Sequence, residues 1–165
     1  MPRVECPAMS DYGVPIDLDG ALSWEWATER LISNHNYWVV TVDADGQPHS
    51  MPGWGVWSGD DSFWFSCSPN ALKAFNIGVN PKVVVNTSDT VEVVSVEGIA
   101  ENVPVPHDTA LAWATKDQDG SRTIDEMIGF FSSQAAFRGS PHKAIGTIER
   151  AEEFAQRATR WSWAT

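Results

Sequence analysis

The residues with the most chemical content lie in one short run, Ser66-Cys67-Ser68-Pro69-Asn70-Ala71-Leu72-Lys73. The run reads as the end of a strand, a turn carrying small hydroxyls, and a helix start with a lysine in its first turn. Free N–H groups and the dipole at such a start attract anions, so Ser66, Ser68 and Lys73 form a candidate phosphate site. The same residues also read as an N-cap followed by a solvated lysine, and chemistry alone favours that plainer reading. Upstream, Gly53 and Gly55 alternate with Trp54 and Val56. Glycines inside a strand admit a second backbone or a flat ligand, or they mark a sharp barrel bend. Gly53-Trp54-Gly55 lacks a third glycine and a strand-to-helix turn, so it is no dinucleotide fingerprint. His35, His49, His107 and His142 have no metal-type neighbours at helical spacing, and Cys6 and Cys67 stand alone, so no metal site is expected. Neither a nucleophile elbow nor a phosphate-binding Gly-x-x-x-x-Gly-Lys loop occurs, which weakens hydrolase and nucleotide-kinase readings. The nine tryptophans make either an indole-rich core or a flat apolar pocket for an aromatic ligand.

These residues sit in a chain of 165 with a net charge of −11, 42% hydrophobic and 20% charged, the composition of one globular domain over 1–165. An acidic chain without a Lys/Arg run is a poor partner for nucleic acid or an anionic membrane. There is no apolar stretch of membrane-spanning length and no leader-like apolar segment, so the expected location is cytoplasmic.

The elements that must position the candidates follow from period and punctuation. Residues 1–21 carry Pro2, Pro7, Gly13, Pro15 and Gly20 and read as an extended arm. Ser23 caps a helix over 24–33, with Trp24, Ala27 and Leu31 on one face. Tyr37–Val42 is a strand, Asp45-Gly46 a hairpin turn, and Gln47–Trp57 the return strand. Pro48 and Pro52 make that strand an edge, a bulge or a break in the ladder. Ser62–Cys67 is a third strand, 71–78 a short helix, and 82–88 and 90–103 two more strands. Residues 108–117 and 122–136 are helical by pattern, within an insertion spanning 104–140. A strand over 143–149, a helical turn over 152–157 and a last strand over 159–163 complete the chain. The expected fold is α+β, mainly β: an antiparallel sheet closed into a small Greek-key barrel with flanking helices.

The ordered series Asn36–Val42, Asp45–Trp57, Phe63–Pro69, Leu72–Ile77, Asn80–Val85 and Val96–Ala100 resembles the pyridoxamine 5′-phosphate oxidase-like split-barrel superfamily. Its flavin/deazaflavin-dependent oxidoreductase branch of actinobacteria is the most similar, and Thr159-Arg160-Trp161 resembles that branch's ending. The resemblance implies a six-stranded split barrel, a homodimer, and a cofactor groove holding FMN or the 8-hydroxy-5-deazaflavin coenzyme (F-420). It implies hydride transfer to or from a planar small molecule with no side-chain catalyst. Alternatives are a pyridoxamine-phosphate-oxidase-like FMN enzyme and a non-enzymatic protein that binds flavin, haem or another planar ligand. Carried over residue by residue, the cofactor-binding set is His49, Met51, Pro52, Trp54, Ser66, Ser68, Lys73, Asn76, Arg160 and Trp161. Asn70, Leu72 and Phe75 stand where relatives carry arginine, so the implied anion site keeps little charge beyond Lys73.

Overall fold

A computed structural model describes residues 1–164. In chain order the strands are β1 (Arg3–Glu5), β2 (Asn36–Val42), β3 (Pro48–Trp57), β4 (Phe63–Cys67), β5 (Lys82–Thr87), β6 (Glu92–Asn102), β7 (Ala135–Ile148) and β8 (Thr159–Ser162). The helices are α1 (Trp24–Ser33), α2 (Leu72–Val79), α3 (His107–Lys116), α4 (Ile124–Ser133) and α5 (Phe154–Arg157). All pairings are antiparallel, in the order β1-β8-β7-β4-β3-β2-β5-β6, and β6 closes back on β7. Strands β2 to β7 therefore form a six-stranded barrel with flanking helices, as expected. Among the described residues, no helix is long and apolar enough to cross a membrane.

Period-2 alternation drives closure. Tyr37, Val39 and Thr41 of β2, Val83 and Val85 of β5, and Val94 and Val96 of β6 turn inward and are buried, while their neighbours face out. Phe63, Phe65 and Phe137 stack across β4 and β7 with ring centres 5.7 and 5.3 Å apart. The indoles are mostly structural. Trp24 meets Trp57, Trp161 and Trp163 edge-on at 5.8, 5.3 and 5.0 Å, and its Nε1 donates to Asp61. Trp38 and Trp54 stay more than 40% exposed.

Two expectations change. The helical pattern over 122–136 stops at Ser133, and Ala135–Gly139 pairs with β4 instead. Ala135 and Ala136 suit a helix, but Phe137 and Gly139 alternate inward and complete the aromatic stack, so tertiary pairing overrides propensity. The barrel thus resumes inside the expected 104–140 insertion. The N-terminal arm also carries a strand: β1 adds to β8, placing Glu5 opposite Arg160.

Helices α3 and α4 cover the outer face of β3, β4 and β7. Val56 and Trp64 of the barrel pack against Trp113, Ala114, Met127 and Phe131, and the Trp113 and Phe131 rings stack at 4.2 Å. A buried polar set fastens this layer. Lys116 Nζ donates to Tyr37 Oη at 2.7 Å and to the Gly55 carbonyl at 2.9 Å, and Tyr37 Oη donates to the Leu31 carbonyl. Burial pushes the Lys116 ammonium down to about 8, against the opposing pull of Asp117. Burial, helped by the Asp117 charge, pushes the Tyr37 phenol up.

Two outcomes follow from this packing. A Cβ on Gly55 would lie 2.7 Å from both Phe63 Cζ and the Trp64 carbonyl oxygen. Gly55→Ala should therefore lower stability by about 1–3 kcal/mol, read as a reduced urea midpoint, and an unchanged midpoint would show a looser seam. Lys116 holds its proton less tightly when folded, near 8 against an ordinary 10.5. Between those values the unfolded chain binds more protons at this group, so its contribution to stability rises with pH. The stability difference between wild type and Lys116→Met should shift toward wild type from about pH 8 to about 10.5; a flat difference would contradict it.

Candidate functional site

The barrel is incomplete along one seam. Strand β3 pairs with β2 from Pro48↔Val42 to Trp54↔Asn36, and with β4 only through Gly55, Val56 and Trp57. Residues 48–54 thus have a free edge facing the end of β4 and the start of α2. Pro48 and Pro52 lack an N–H to offer a sheet partner, and their tolerance here agrees with an edge.

Alternation divides the residues of β3. His49, Met51 and Gly53 pair with Thr41, Val39 and Tyr37 and share their inner face; Pro52 and Trp54 pair with Trp38 and Asn36 and face out. Helix α2 closes the inner side. Ile77 enters the core, and buried Asn76 donates from Nδ2 to Thr41 Oγ1 at 3.0 Å. This anchors the helix so that Lys73 crosses to β3, its Nζ 3.5 Å from the position a Cβ on Gly53 would take.

Lys73 is half-buried, and among the described residues its Nζ has no hydrogen-bond or ion-pair acceptor. Burial draws its pKa below the ordinary value, opposed by charge on the Cys67 thiol. Burial raises the Cys67 thiol, with Lys73 and the Ala74 N–H opposing. No side chain caps α2, whose N-cap is Ala71, so amides at its start remain available to an anion. Ser66 is half-buried at the open end of β4, while exposed Ser68 accepts from the Asn70 N–H.

The structure thus places His49 and Met51 on the inner face of β3, with Lys73 and Asn76 of α2 beside that face. Ser66 alternates with Phe65 and Cys67 and shares the outward side of β4 with Trp64, exposed Ser68 follows it in the turn, and Pro52 and Trp54 face out from β3. Arg160 and Trp161 are drawn elsewhere. Arg160 pairs with Glu5 at 2.8 Å, and Trp161 is fully buried between Trp24 and Gly146. Their side chains are used by the β1–β8 extension and the indole cluster; the reading of residues 1–21 as an extended arm gave that arm no pairing partner. Sequence reasoning also missed a His35–Asp117 pair beside Trp54. Its members are far apart in sequence, and only Trp113 of α3 and Asp117, four residues on at its C-cap, left a local signal.

The residues present fit one phosphate better than a chain of charges. Lys73 and the open α2 start supply one cationic corner, whereas Asn70, Leu72 and Phe75 around it are uncharged.

Comparison with known proteins agrees with this architecture. No curated protein matches the sequence at a significant level. Among solved structures, a conserved hypothetical protein, Rv2991, from Mycobacterium tuberculosis superposes with a TM-score of 0.60 at 23% identity, covering 86% of this chain and 85% of that one. HutZ, a heme storage protein from Vibrio cholerae, gives 0.53 at 21% identity, covering 72% and 87%. A protein described as F420 Reductase gives 0.54 at 20% identity, covering 70% and 94%. At these identities the likeness shows the fold. The sequence profile described as pyridoxamine 5′-phosphate oxidase matches residues 25–139, and the chain belongs to that split-barrel family.

Proposed function

We propose that the parting between β3 and α2 binds a planar ligand of the FMN type, with its single phosphate on Lys73 and its ring along the free edge of β3. The observation that carries this reading is the half-buried Lys73 ammonium without a protein acceptor at the mouth of the opening. A buried cation without a partner is costly, and a phosphate supplies the missing charge-assisted contact. Family membership supports the same ligand class. When bound, FMN supplies two-electron redox chemistry, and the protein contributes binding, orientation and exclusion of water. Here Lys73 and the α2 amides hold the phosphate, Asn76 fixes α2 through Thr41, and Met51 and Gly53 present a flat apolar surface. A planar small-molecule substrate is the natural partner of such a surface. The deazaflavin coenzyme, with its polyanionic tail, finds only one cation here and fits less well.

A second reading, a haem-class ligand, is favoured by His49, a half-buried imidazole on the same face as Met51. Relatives of this fold include a heme storage protein. The absorbance spectrum after mixing with each ligand separates the two readings.

We also propose a homodimer. Leu72, Phe75 and Val79 form one exposed stripe on α2, at 52%, 62% and 66% exposure, close to the opening. Three large apolar side chains on one helical face need cover in a soluble protein.

Replacing Lys73 with Met should weaken FMN binding about 10–150-fold in a fluorescence titration, the loss of a charge-assisted bond of about 1.5–3 kcal/mol. An unchanged affinity would overturn the assignment of the phosphate. Light scattering should give twice 18.2 kDa for the wild type and a lighter species for Phe75→Lys. A wild-type monomer at micromolar concentration would exclude the dimer.

A further inference from the structure

The His35–Asp117 pair has no part in the proposed phosphate site, and its construction is unusual for a purely structural contact. Asp117 ends α3 with its side chain fully buried. One carboxylate oxygen accepts from Trp113 Nε1 at 2.9 Å. The other, Oδ1, receives no well-aligned hydrogen bond, and its ion-pair partner is His35 Nδ1 at 3.0 Å. The adjacent Lys116 donates instead to Tyr37 and to the Gly55 carbonyl. A buried carboxylate is costly unless it is paired, and here its partner is an imidazole whose side chain is 53% exposed. Engaged at Nδ1, the ring has Nε2 as its other nitrogen. A carboxylate at Nδ1 fixes the imidazole and stabilises the cation formed when Nε2 accepts a proton.

The surroundings indicate what would bring that proton. The His35 ring lies 6.2 Å from Trp54, whose indole is 41% exposed and 6.4 Å from Phe130. Arg122 sits over Phe130 at 5.2 Å, placing a positive charge on the same rim. Trp54 is the last residue of β3 before pairing with β4 begins. An aromatic platform, a proton-accepting nitrogen and a nearby cation suit a flat ring bearing an acidic hydroxyl.

We propose that His35, oriented by Asp117, is a proton-accepting subsite for an aromatic hydroxyl compound lying on Trp54. The ligand O–H bond breaks, its electron pair stays on oxygen as a phenolate, and the proton passes to Nε2. The resulting imidazolium rests against the Asp117 carboxylate, so charge is conserved. The charged or titratable groups on the elements packed here are Lys116 of α3, Tyr37 of β2, and Arg122 before α4, which has the Asp119 and Glu126 carboxylates beside it. This subsite does not depend on which ligand occupies Lys73.

The test uses 4-nitrophenol, whose ionised form has its own visible absorbance, at a pH below the pKa of the free compound. Adding wild-type protein should raise the phenolate band saturably at roughly millimolar concentration, as suits a ligand of this size. His35→Gln, which keeps an N–H within reach of Asp117, should abolish the rise while near-UV circular dichroism is retained. Trp54→Ala, a surface change that leaves the pair intact, should weaken binding roughly 2–10-fold. No rise with wild type, or an equal rise with His35→Gln, would overturn the proposal. Should His35→Gln fail to fold, unchanged binding by Trp54→Ala would overturn it independently. The FMN titration reports on Lys73 and is untouched by either result.

Discussion

The architecture depends on where β3 leaves β4. Gly55 lets the two strands meet, because Phe63 and the Trp64 carbonyl occupy the space a side chain would need. The ladder is three pairs long, from Gly55 to Trp57 at the turn, and the residues of β3 before Gly55 do not pair with β4. A full ladder along β3 would need amide hydrogens that Pro48 and Pro52 lack. The barrel therefore closes through a short seam on one side of Gly55 and parts on the other. Long pairing elsewhere compensates: β7 lies along β6 for most of its length, and its other edge serves β4 first and β8 afterwards.

The parting makes places for groups that a closed barrel would have no use for. Its inner side is filled by α2, held through Asn76 to Thr41 and through Ile77 to the core. That docking fixes which face of α2 is buried. Residues 73, 76 and 77 turn inward, and 72, 75 and 79 stay out as an apolar stripe. Lys73 is carried inward as a consequence and reaches Gly53, where only a residue without a side chain leaves the surface flat. On the outer side, α3 and α4 pack over Val56 and Trp64 and bring Asp117 to His35. One strand edge thus separates a cationic corner on one face from an aromatic, proton-handling corner on the other.

Much of this was legible from residue order alone. The α1 bounds and its Ser23 cap and the Asp45-Gly46 hairpin follow from capping and turn chemistry, and the short lysine-bearing helix from the Asn80-Pro81 stop after it, all of which act locally. The prolines of β3 correctly marked an edge. The start of β7 was not legible, because Ala135 and Ala136 have helical propensity and only the distant Cys67 and Ser66, opposite them on β4, recruit them to the sheet. The partners of Arg160 and Trp161 were hidden for a similar reason: Glu5 and Trp24 engage them across nearly the whole chain length. The candidate site was half visible. Lys73 stood out by its spacing from Ser66 and Ser68, whereas the division of β3 into two faces required the register with β2. His35 and Asp117 had no shared pattern to betray them.

The central claim is that the parting, and not another surface, receives a singly anionic planar ligand. A cleft of about 700 Å³ between α3 and the β3–β4 turn offers a direct competitor, bordered by Asp60, Glu101 and Asp108. Its acidic rim makes it a poor host for a phosphate, and Arg138 there is already paired with Asp60 at 2.9 Å. Amide hydrogen exchange with and without FMN distinguishes the two surfaces most directly. The account predicts slowed exchange in residues 48–54 and 66–76 with little change elsewhere. Protection confined to 101–112 and 138, or none at saturating FMN, would contradict it.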